Sequence, residues 1–201
     1  SVDAWISPDL YNMNGQSGAP PDDFSDKGQN WGFPTYNWDE MAKDGYQWWK
    51  NRFQQLSGYF DAFRIDHILG FFRIWQVPLE HVEGMMGFFN PAIPIYRNEF
   101  AERGIHFNEE RFCTPYIREH LLHNLFEKDA DFIKINFLDH KGNDEYQFKE
   151  AFNTQRKLEA WLDTHPTKLH LKDALFHLVS NVLFLSVPES NGQQFHPRID
   201  F

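Results

Sequence analysis

The sequence is poor in cysteine, in basic charge and in long apolar runs. A single cysteine, Cys113, excludes an internal disulfide and any metal site that needs a CxxC pair. The 19 Lys and Arg residues against 29 Asp and Glu give a formal net charge of −10, which argues against nucleic acid and anionic membranes as partners. No apolar run approaches the roughly 18 residues of a membrane span, and no signal-peptide pattern opens the chain. We therefore expect a reducing, cytoplasmic setting.

Aromatic residues, in contrast, are abundant. The chain has 21 Phe, 7 Trp and 7 Tyr, together 17% of its 201 residues, alongside 24% charged residues. Rings in a polar chain can stack on flat ligands while polar groups bond their edges, which is how carbohydrate is bound. The alternative is that the rings fill the core, and we expect this of most of the phenylalanines.

The first half of the chain combines loop signals with one clear helix. Asn37 is a candidate N-cap with Glu40 three residues later, and Gly58 is expected to end that helix in the left-handed conformation. The predicted elements are a loop-like stretch over 1–36 with a short strand at Ser1–Ile6, a helix from Trp38 to Ser57, and a strand at Tyr59–Asp66.

The second half begins after Pro78 and is predicted to be mostly helical. A change of character near residues 80–95 predicts two units, 1–80 and 81–201. The expected elements are an irregular stretch over 79–114, a helix capped by Thr114 and opened by Pro115, a strand at Asp131–Leu138, a turn at 141–144, and helices near 148–164 and 168–186.

The tetrapeptide Arg64-Ile65-Asp66-His67 is the main candidate for chemistry. Side chains alternate across a strand, so Arg64 and Asp66 would share one face. A neighbouring guanidinium favours the charged form of a carboxylate, and an oriented carboxylate can attack the anomeric carbon of a sugar. His67 would then lie at the rim as a donor to a hydroxyl. An ordinary ion pair explains the same residues equally well.

Several longer motifs carry a resemblance to a known family. They are the opening Ser1–Trp5, Gly18–Asp22 (GAPPD), Gly28–Pro34 (GQNWGFP) with Tyr36–Trp38, Phe63–Gly70 (FRIDHILG) and Ile74–Pro78 (IWQVP). In this order and spacing they resemble the 4-α-glucanotransferases, the amylomaltases or disproportionating enzymes of glycoside hydrolase family 77. The plant cytosolic type and its bacterial relatives are the most similar branch. Over 79–201 the resemblance is thinner, with Phe195–Ile199 as its best-matched piece.

The resemblance implies site residues and a reaction. Members transfer α-1,4-glucan segments to acceptor sugars with retention and without a cofactor or metal, so α-1,4-glucan oligosaccharides are the expected partners. Asp66 matches the nucleophile, Arg64 its partner, and His67 a residue that contacts the sugar. The implied substrate-binding residues are Asp3, Trp5, Gln29, Asn30 and Trp31, the last three in a cleft loop at Gln29–Pro34.

The sequence also departs from the family pattern. The family's acid/base glutamate, in a Glu-Asp-Leu-Gly segment, and its later stabilising aspartate are not found in these 201 residues. A retaining mechanism needs such a second carboxyl, and a (β/α)8 barrel needs about 250 residues. We therefore expect an α/β fold: a fragment of a TIM barrel with a mostly helical insertion subdomain, inactive alone, whose partners are the remainder of the enzyme or further copies of itself.

Two other functions remain open on the sequence. One is a non-catalytic glucan-binding module that uses the aromatic rings without chemistry. The other is an α-amylase-type hydrolase, which shares an Arg-x-Asp strand end but is disfavoured by the GQNWGFP and IWQVP motifs.

Overall fold

The chain has a mixed α/β structure with small antiparallel sheets. The computed structural model describes residues 2–187 and 190–199. The strands are β1 Tyr11–Ala19, β2 Gln29–Tyr36, β3 Ile74–Pro78, β4 Phe88–Asn90, β5 Ile95–Tyr96, β6 Ile117–Arg118, β7 Leu138–Gly142, β8 Glu145–Phe148, β9 Phe184–Ser186 and β10 Gln194–Pro197. The α-helices are α1 Val2–Ile6, α2 Trp38–Lys43, α3 Gln47–Ser57, α4 Arg97–Glu102, α5 Glu109–Cys113, α6 Glu119–Phe126, α7 Ala130–Phe137, α8 Gln155–Asp163 and α9 Lys172–Val179.

The strands of the described ranges form three sheets, ordered β2-β1-β3-β4, β5-β10-β9 and β6-β8-β7. Every pairing in them is antiparallel. The α/β class is therefore confirmed at the level of a mixed helix-and-sheet chain. Parallel pairing, on which a (β/α)8 barrel depends, is not seen in the described part of the chain, so the barrel stays a prediction.

The loop predicted over 1–36 is wrong for about half of its length, because β1 and β2 form a hairpin there. The glycines taken as turn signals allow close strand packing instead. A Cβ on Gly18 would lie 2.1 Å from the Gln29 carbonyl oxygen, and one on Gly15 would lie 2.4 Å from the Gln76 amide nitrogen. The predicted strand at Ser1–Ile6 is also wrong: Val2–Ile6 is helical, and Ser1 lies outside the described residues.

The helix predicted over 38–57 is present but divided into α2 and α3. Asn37 caps α2 as expected, since its Oδ1 accepts a hydrogen bond from the Glu40 amide at 3.2 Å. Gly45 and Tyr46 interrupt the helix with positive φ angles of 71° and 63°. Gly58 has a φ of −77°, so the left-handed end expected there is wrong. The left-handed glycine lies at the break instead of at the end.

The strand predicted at Tyr59–Asp66 is wrong as well. Residues 59–67 form turns and irregular backbone, followed by a 3-10 turn at Ile68–Phe71. An apolar run forms a buried strand only when it pairs into a sheet whose faces are covered by other elements. Here the run stays exposed: Phe60 is 61% and Phe63 52% accessible.

The principal core lies in the second half of the chain, among α6–α9 and the β6-β8-β7 sheet. The strand predicted at Asp131–Leu138 is wrong, because α7 occupies that segment. Ile133 and Phe137, four residues apart, are fully buried, whereas Ile135 between them is 72% exposed. That spacing belongs to one face of a helix, since residues two apart would share the face of a strand.

Other boundaries in this half also shift. Thr114 is not an N-cap as expected: it is the C-cap of α5, where its hydroxyl donates to the Glu110 carbonyl, and α6 begins only at Glu119. The turn at 141–144 is confirmed as the β7–β8 hairpin. The helices expected near 148–164 and 168–186 are present only over α8 and α9, and the irregular stretch at 79–114 contains β4, β5, α4 and α5.

Contacts join the two sequence-predicted units. β4 pairs with β3 across residue 80, and Lys27 forms ion pairs with Glu83 at 2.9 Å and Asp173 at 2.8 Å. The division at residue 80 stays a prediction. None of the helices in 2–187 and 190–199 is both long and apolar enough to cross a bilayer.

Candidate active site

The predicted cleft loop lies in strand β2, where an irregular turn presents Trp31. Asn30 produces this turn: its Oδ1 accepts a hydrogen bond from the Gly32 amide at 3.0 Å, and Gly32 has a φ of +74°. A side chain at Gly32 would meet no atom within 4 Å, so conformation rather than space favours glycine there. The pairing of β1 with β2 is shifted on both sides of Gln16, which leaves room for the turn.

Trp31 contacts two of the sequence-predicted residues. Its indole Nε1 donates to Gln29 Oε1 at 3.0 Å. Its ring meets the His67 ring edge-on, with centroids 5.2 Å apart at 87°, and stacks on Phe33 at 6.0 Å. The structure therefore brings together the GQNWGFP and FRIDHILG motifs through two rings that are 36 positions apart in sequence.

Arg64 and Asp66 lie beside each other on irregular backbone. Arg64 Nη2 is 3.8 Å from Asp66 Oδ1, and the two side chains are 90% and 94% exposed. Arg64 and Asp66 are therefore close together, as expected from the sequence, although the strand that was expected to bring them together is not formed. An ion pair this open to water contributes little to stability, so the pair carries no structural role in this part of the chain.

Asp3 and Trp5 lie on α1, apart from the Trp31 turn. Asp3 Oδ2 is 3.6 Å from Arg52 Nη1, and Trp5 is 86% exposed. Burial, with smaller contributions from Tyr36 and Asp3, raises the pKa of Tyr11 to about 12. No hydrogen bond, ion pair or ring contact within the described ranges joins Asp3 or Trp5 to Trp31 or Asp66.

Asn30 is bonded to Gln16, which is in turn bonded to Arg156, and the sequence singled out neither of these two residues. Gln16 Oε1 accepts a hydrogen bond from Asn30 Nδ2 at 3.0 Å and another from Arg156 Nη2 at 2.9 Å. Arg156 belongs to α8, 140 residues away from Gln16. No local pattern marks either residue, because the contact exists only after the two halves of the chain have packed together.

An aromatic cleft of about 620 Å³ lies at the end of β2, beside Thr35 and Tyr36. It is lined by rings of α2, α3 and the 3-10 turn, including Trp38, Trp49 and Phe71, together with polar groups such as Asn12 and Asn90. None of the sequence-predicted site residues lines it. Among the residues that the structure describes, no three His, Cys, Asp or Glu side chains gather closely enough to hold a metal ion.

Comparison with known proteins finds 4-alpha-glucanotransferases. A family model described as 4-alpha-glucanotransferase matches residues 1–164. The 4-alpha-glucanotransferase DPE2 of Oryza sativa subsp. japonica is 42% identical over 207 residues, covering the whole chain and 22% of the rice protein. The chloroplastic/amyloplastic 4-alpha-glucanotransferase of Solanum tuberosum is 43% identical over 93 residues, covering 43% of this chain and 16% of the potato protein.

A solved structure also matches. The amylomaltase from Streptococcus agalactiae in complex with acarbose has a TM-score of 0.43 and 26% identity, covering 65% of this chain and 32% of that one. The chain spans about a fifth of the length of the rice relative, at 22%.

Proposed function

Because the chain belongs to the 4-alpha-glucanotransferase family, we propose that it supplies part of the active site of a longer enzyme that transfers α-1,4-glucan segments to acceptor sugars. The observation that carries this proposal is the contact between the Trp31 and His67 rings. It brings an aromatic platform of the expected acceptor loop next to the residue that follows Asp66. Rings of this kind stack on sugar faces, and a nearby carboxylate is the group that a retaining transfer needs.

In the proposed reaction Asp66 attacks the anomeric carbon, the glycosidic bond to the leaving glucan breaks, and the donor segment is held as a covalent glycosyl ester. A hydroxyl of the acceptor sugar then attacks the same carbon and releases the Asp66 carboxylate. Arg64 is the charged group beside the nucleophile, with its Nη2 3.8 Å from Asp66 Oδ1. His67 donates to a sugar hydroxyl, while Trp31, Gln29, Asn30, Asp3 and Trp5 contact the glucan. A second carboxyl about 5 to 5.5 Å from the nucleophile acts as acid and then as base, and we assign it to the remainder of the enzyme.

The remainder of the enzyme also accounts for the exposed apolar segment around the nucleophile. Phe60, Phe63, Ile68, Leu69 and Phe72 are each more than half exposed, an unusual density for one stretch. We propose that further chain covers this segment in the whole protein. The isolated 201 residues should then self-associate through it, and a monomer in size-exclusion chromatography would contradict this.

The first experiment tests the nucleophile. Asp66→Asn in the full-length enzyme should abolish glucan transfer. In the 201-residue chain it should leave the thermal unfolding midpoint unchanged, because the side chain is 94% exposed there. Asp61→Asn is the matched control, since Asp61 is an exposed aspartate of the same irregular segment. Retained transfer in Asp66→Asn would remove Asp66 from the role.

The second experiment tests the acceptor platform. Trp31→Ala should raise the KM for the acceptor sugar more than it changes kcat, because a stacking surface is lost while the nucleophile remains. Phe24→Ala, which removes a ring that is 94% exposed, serves as control. Unchanged acceptor kinetics would show that the turn is not part of the acceptor site.

A non-catalytic glucan-binding module is the second candidate, supported by the aromatic cleft at Trp38 and Trp49. It predicts that the isolated chain binds maltoheptaose tightly, which tryptophan fluorescence would detect. The proposed enzyme part predicts weak binding and no transfer, since the second carboxyl is missing. Family membership favours the transferase over an α-amylase-type hydrolase, and a product assay that compares glucan transfer with hydrolysis decides between them.

The cytoplasmic setting stays a prediction.

A further inference from the structure

We infer that Arg156, on helix α8, is a positioning residue for the acceptor-binding turn at Trp31, and that it acts through Gln16 and Asn30. This inference rests on the proposed function, because it concerns the same turn. It gives the second half of the chain a task in acceptor binding.

The guanidinium of Arg156 is oriented by hydrogen bonds on three of its nitrogens. Nε donates to the Leu79 carbonyl at 3.3 Å, Nη1 to Glu159 Oε2 at 3.1 Å, and Nη2 to Gln16 Oε1 at 2.9 Å. The Arg156 amide also donates to the Glu80 carbonyl at 3.0 Å, which fixes the start of α8 against the segment after β3. Because the guanidinium is planar, the bonds to Leu79 and Glu159 fix the direction in which Nη2 donates to Gln16.

Gln16 transmits this orientation to Asn30. A single acceptor, Gln16 Oε1, receives the bond from Arg156 and a second bond from Asn30 Nδ2 at 3.0 Å. The bond to a charged donor is stronger than a bond between neutral groups and polarises the amide that accepts it. Gln16 is itself placed by the strand pairing, in which it lies opposite Pro34 of β2.

Asn30 converts the orientation into a backbone conformation. Its Nδ2 also donates to the His81 carbonyl at 3.4 Å, and its Oδ1 accepts from the Gly32 amide at 3.0 Å. Gln16 and His81 therefore orient the side-chain amide of Asn30 through its Nδ2. Its Oδ1 in turn holds the left-handed turn at Gly32. Trp31 lies between the two ends of that turn, so the plane of Asn30 sets where the indole lies.

The connection reaches the acceptor turn and not the nucleophile. None of the described hydrogen bonds of Arg156, Gln16 or Asn30 goes to Arg64 or Asp66. Loss of Arg156 should therefore weaken binding of the acceptor sugar and leave formation of the glycosyl intermediate unchanged. The rate of transfer to the acceptor sugar should then fall relative to the rate of hydrolysis, because water does not need the aromatic ring of Trp31 to bind.

The experiment measures transfer kinetics of the full-length enzyme with acceptor varied at saturating donor. Arg156→Ala should raise the acceptor KM about tenfold, the size of one lost hydrogen bond to a charged group, with kcat changed by less than about twofold. It should also increase hydrolysis relative to transfer. Lys157→Ala, on the same turn of α8 with its Nζ bonded only to Glu150 and Asn153 among the described groups, should match the wild type.

Two substitutions at Gln16 separate positioning from mere folding. Gln16→Leu removes the shared acceptor and should raise the acceptor KM as Arg156→Ala does, and the double variant should be no worse than either single one. Gln16→Glu keeps the acceptor oxygens and should retain the wild-type KM. If Arg156→Ala does not fold, Gln16→Leu and Gln16→Glu still decide the question.

The outcomes distinguish this inference from the proposed function. A wild-type enzyme that transfers no glucan would overturn the proposed function. A wild type that transfers glucan, with unchanged acceptor KM in Arg156→Ala and Gln16→Leu, would overturn only the positioning role. Additive effects of the two substitutions would overturn the connection through Gln16.

Discussion

Gln155 provides the most direct test of how the two halves of the chain are joined. It is fully buried at the start of α8, and its side chain makes four hydrogen bonds. Oε1 accepts from the Val82 amide at 2.7 Å and the Glu83 amide at 3.0 Å. Nε2 donates to Glu83 Oε2 at 3.0 Å and Ser180 Oγ at 2.8 Å. We expect Gln155→Leu to keep the packing volume and remove all four bonds.

The magnitude follows from which groups lose their partners. Two backbone amides are left without an acceptor, at about 1 to 3 kcal/mol each, while burial of a leucine side chain returns about 1.5 to 2 kcal/mol. The free energy of unfolding should therefore fall by about 2 kcal/mol, and by no more than about 4.5 kcal/mol. At a slope of about 2 kcal/mol per molar urea, a loss of about 2 kcal/mol lowers the denaturation midpoint by about 1 M.

The assay is urea denaturation of the 201-residue chain, followed by circular dichroism. Gln54→Leu, on the exposed face of α3, makes the same chemical change without burial and should move the midpoint by less than about 0.3 M, as surface substitutions do. If Gln155→Leu shifts the midpoint no further than Gln54→Leu, the four bonds do not hold α8 to the segment after β3.

Two further predictions concern the acid side of the stability profile of the same chain. Burial lowers the pKa of His81 from 6.5 to about 4, so the unfolded chain binds this proton more readily and stability should fall as the pH drops from about 6.5 to 4; His81→Gln should flatten that part of the profile in thermal melts, and an unchanged slope would contradict it. Hydrogen bonds from Lys134 and the Tyr146 hydroxyl lower the pKa of Glu119 to about 2, so its contribution is complete above pH 4.5 and is lost as the pH falls towards 2. Melting temperatures of Glu119→Gln should converge with those of the wild type at the acid end of that range, and a constant difference across it would refute the assignment.

Helix signals were more reliable than strand signals in this sequence. The cap at Asn37 and the glycine-containing turn at 141–144 depend on neighbours within four residues, and both are present. The strand predictions at 59–66 and 131–138 were wrong, because the spacing of apolar residues in a short apolar run does not distinguish a strand from a helix. The run at 131–138 buries Ile133 and Phe137 through helical spacing. The run at 59–66 has no neighbouring strand in the described part of the chain.

Some residues of the candidate site could be predicted from the sequence, and others could be found only in the structure. Motifs pointed to Trp31, His67, Arg64 and Asp66, and the structure brings the first two into ring contact and the last two within 3.8 Å. Whether these residues act as proposed stays a prediction. Gln16 and Arg156 could not have been found, since their only signal is a contact across 140 residues.

The sequence by itself determined the family, the identity of the candidate residues and the local caps and turns, because these depend on residue type and short spacing. Tertiary structure alone decided which apolar runs became helices, which glycines served strand packing, and which distant side chains hold the Trp31 turn. The physical reason is that burial and shared hydrogen-bond acceptors depend on contacts between segments that are distant in sequence, and these contacts form only when the chain folds. Gln16 Oε1, which receives donors from both halves of the chain, is such a meeting point.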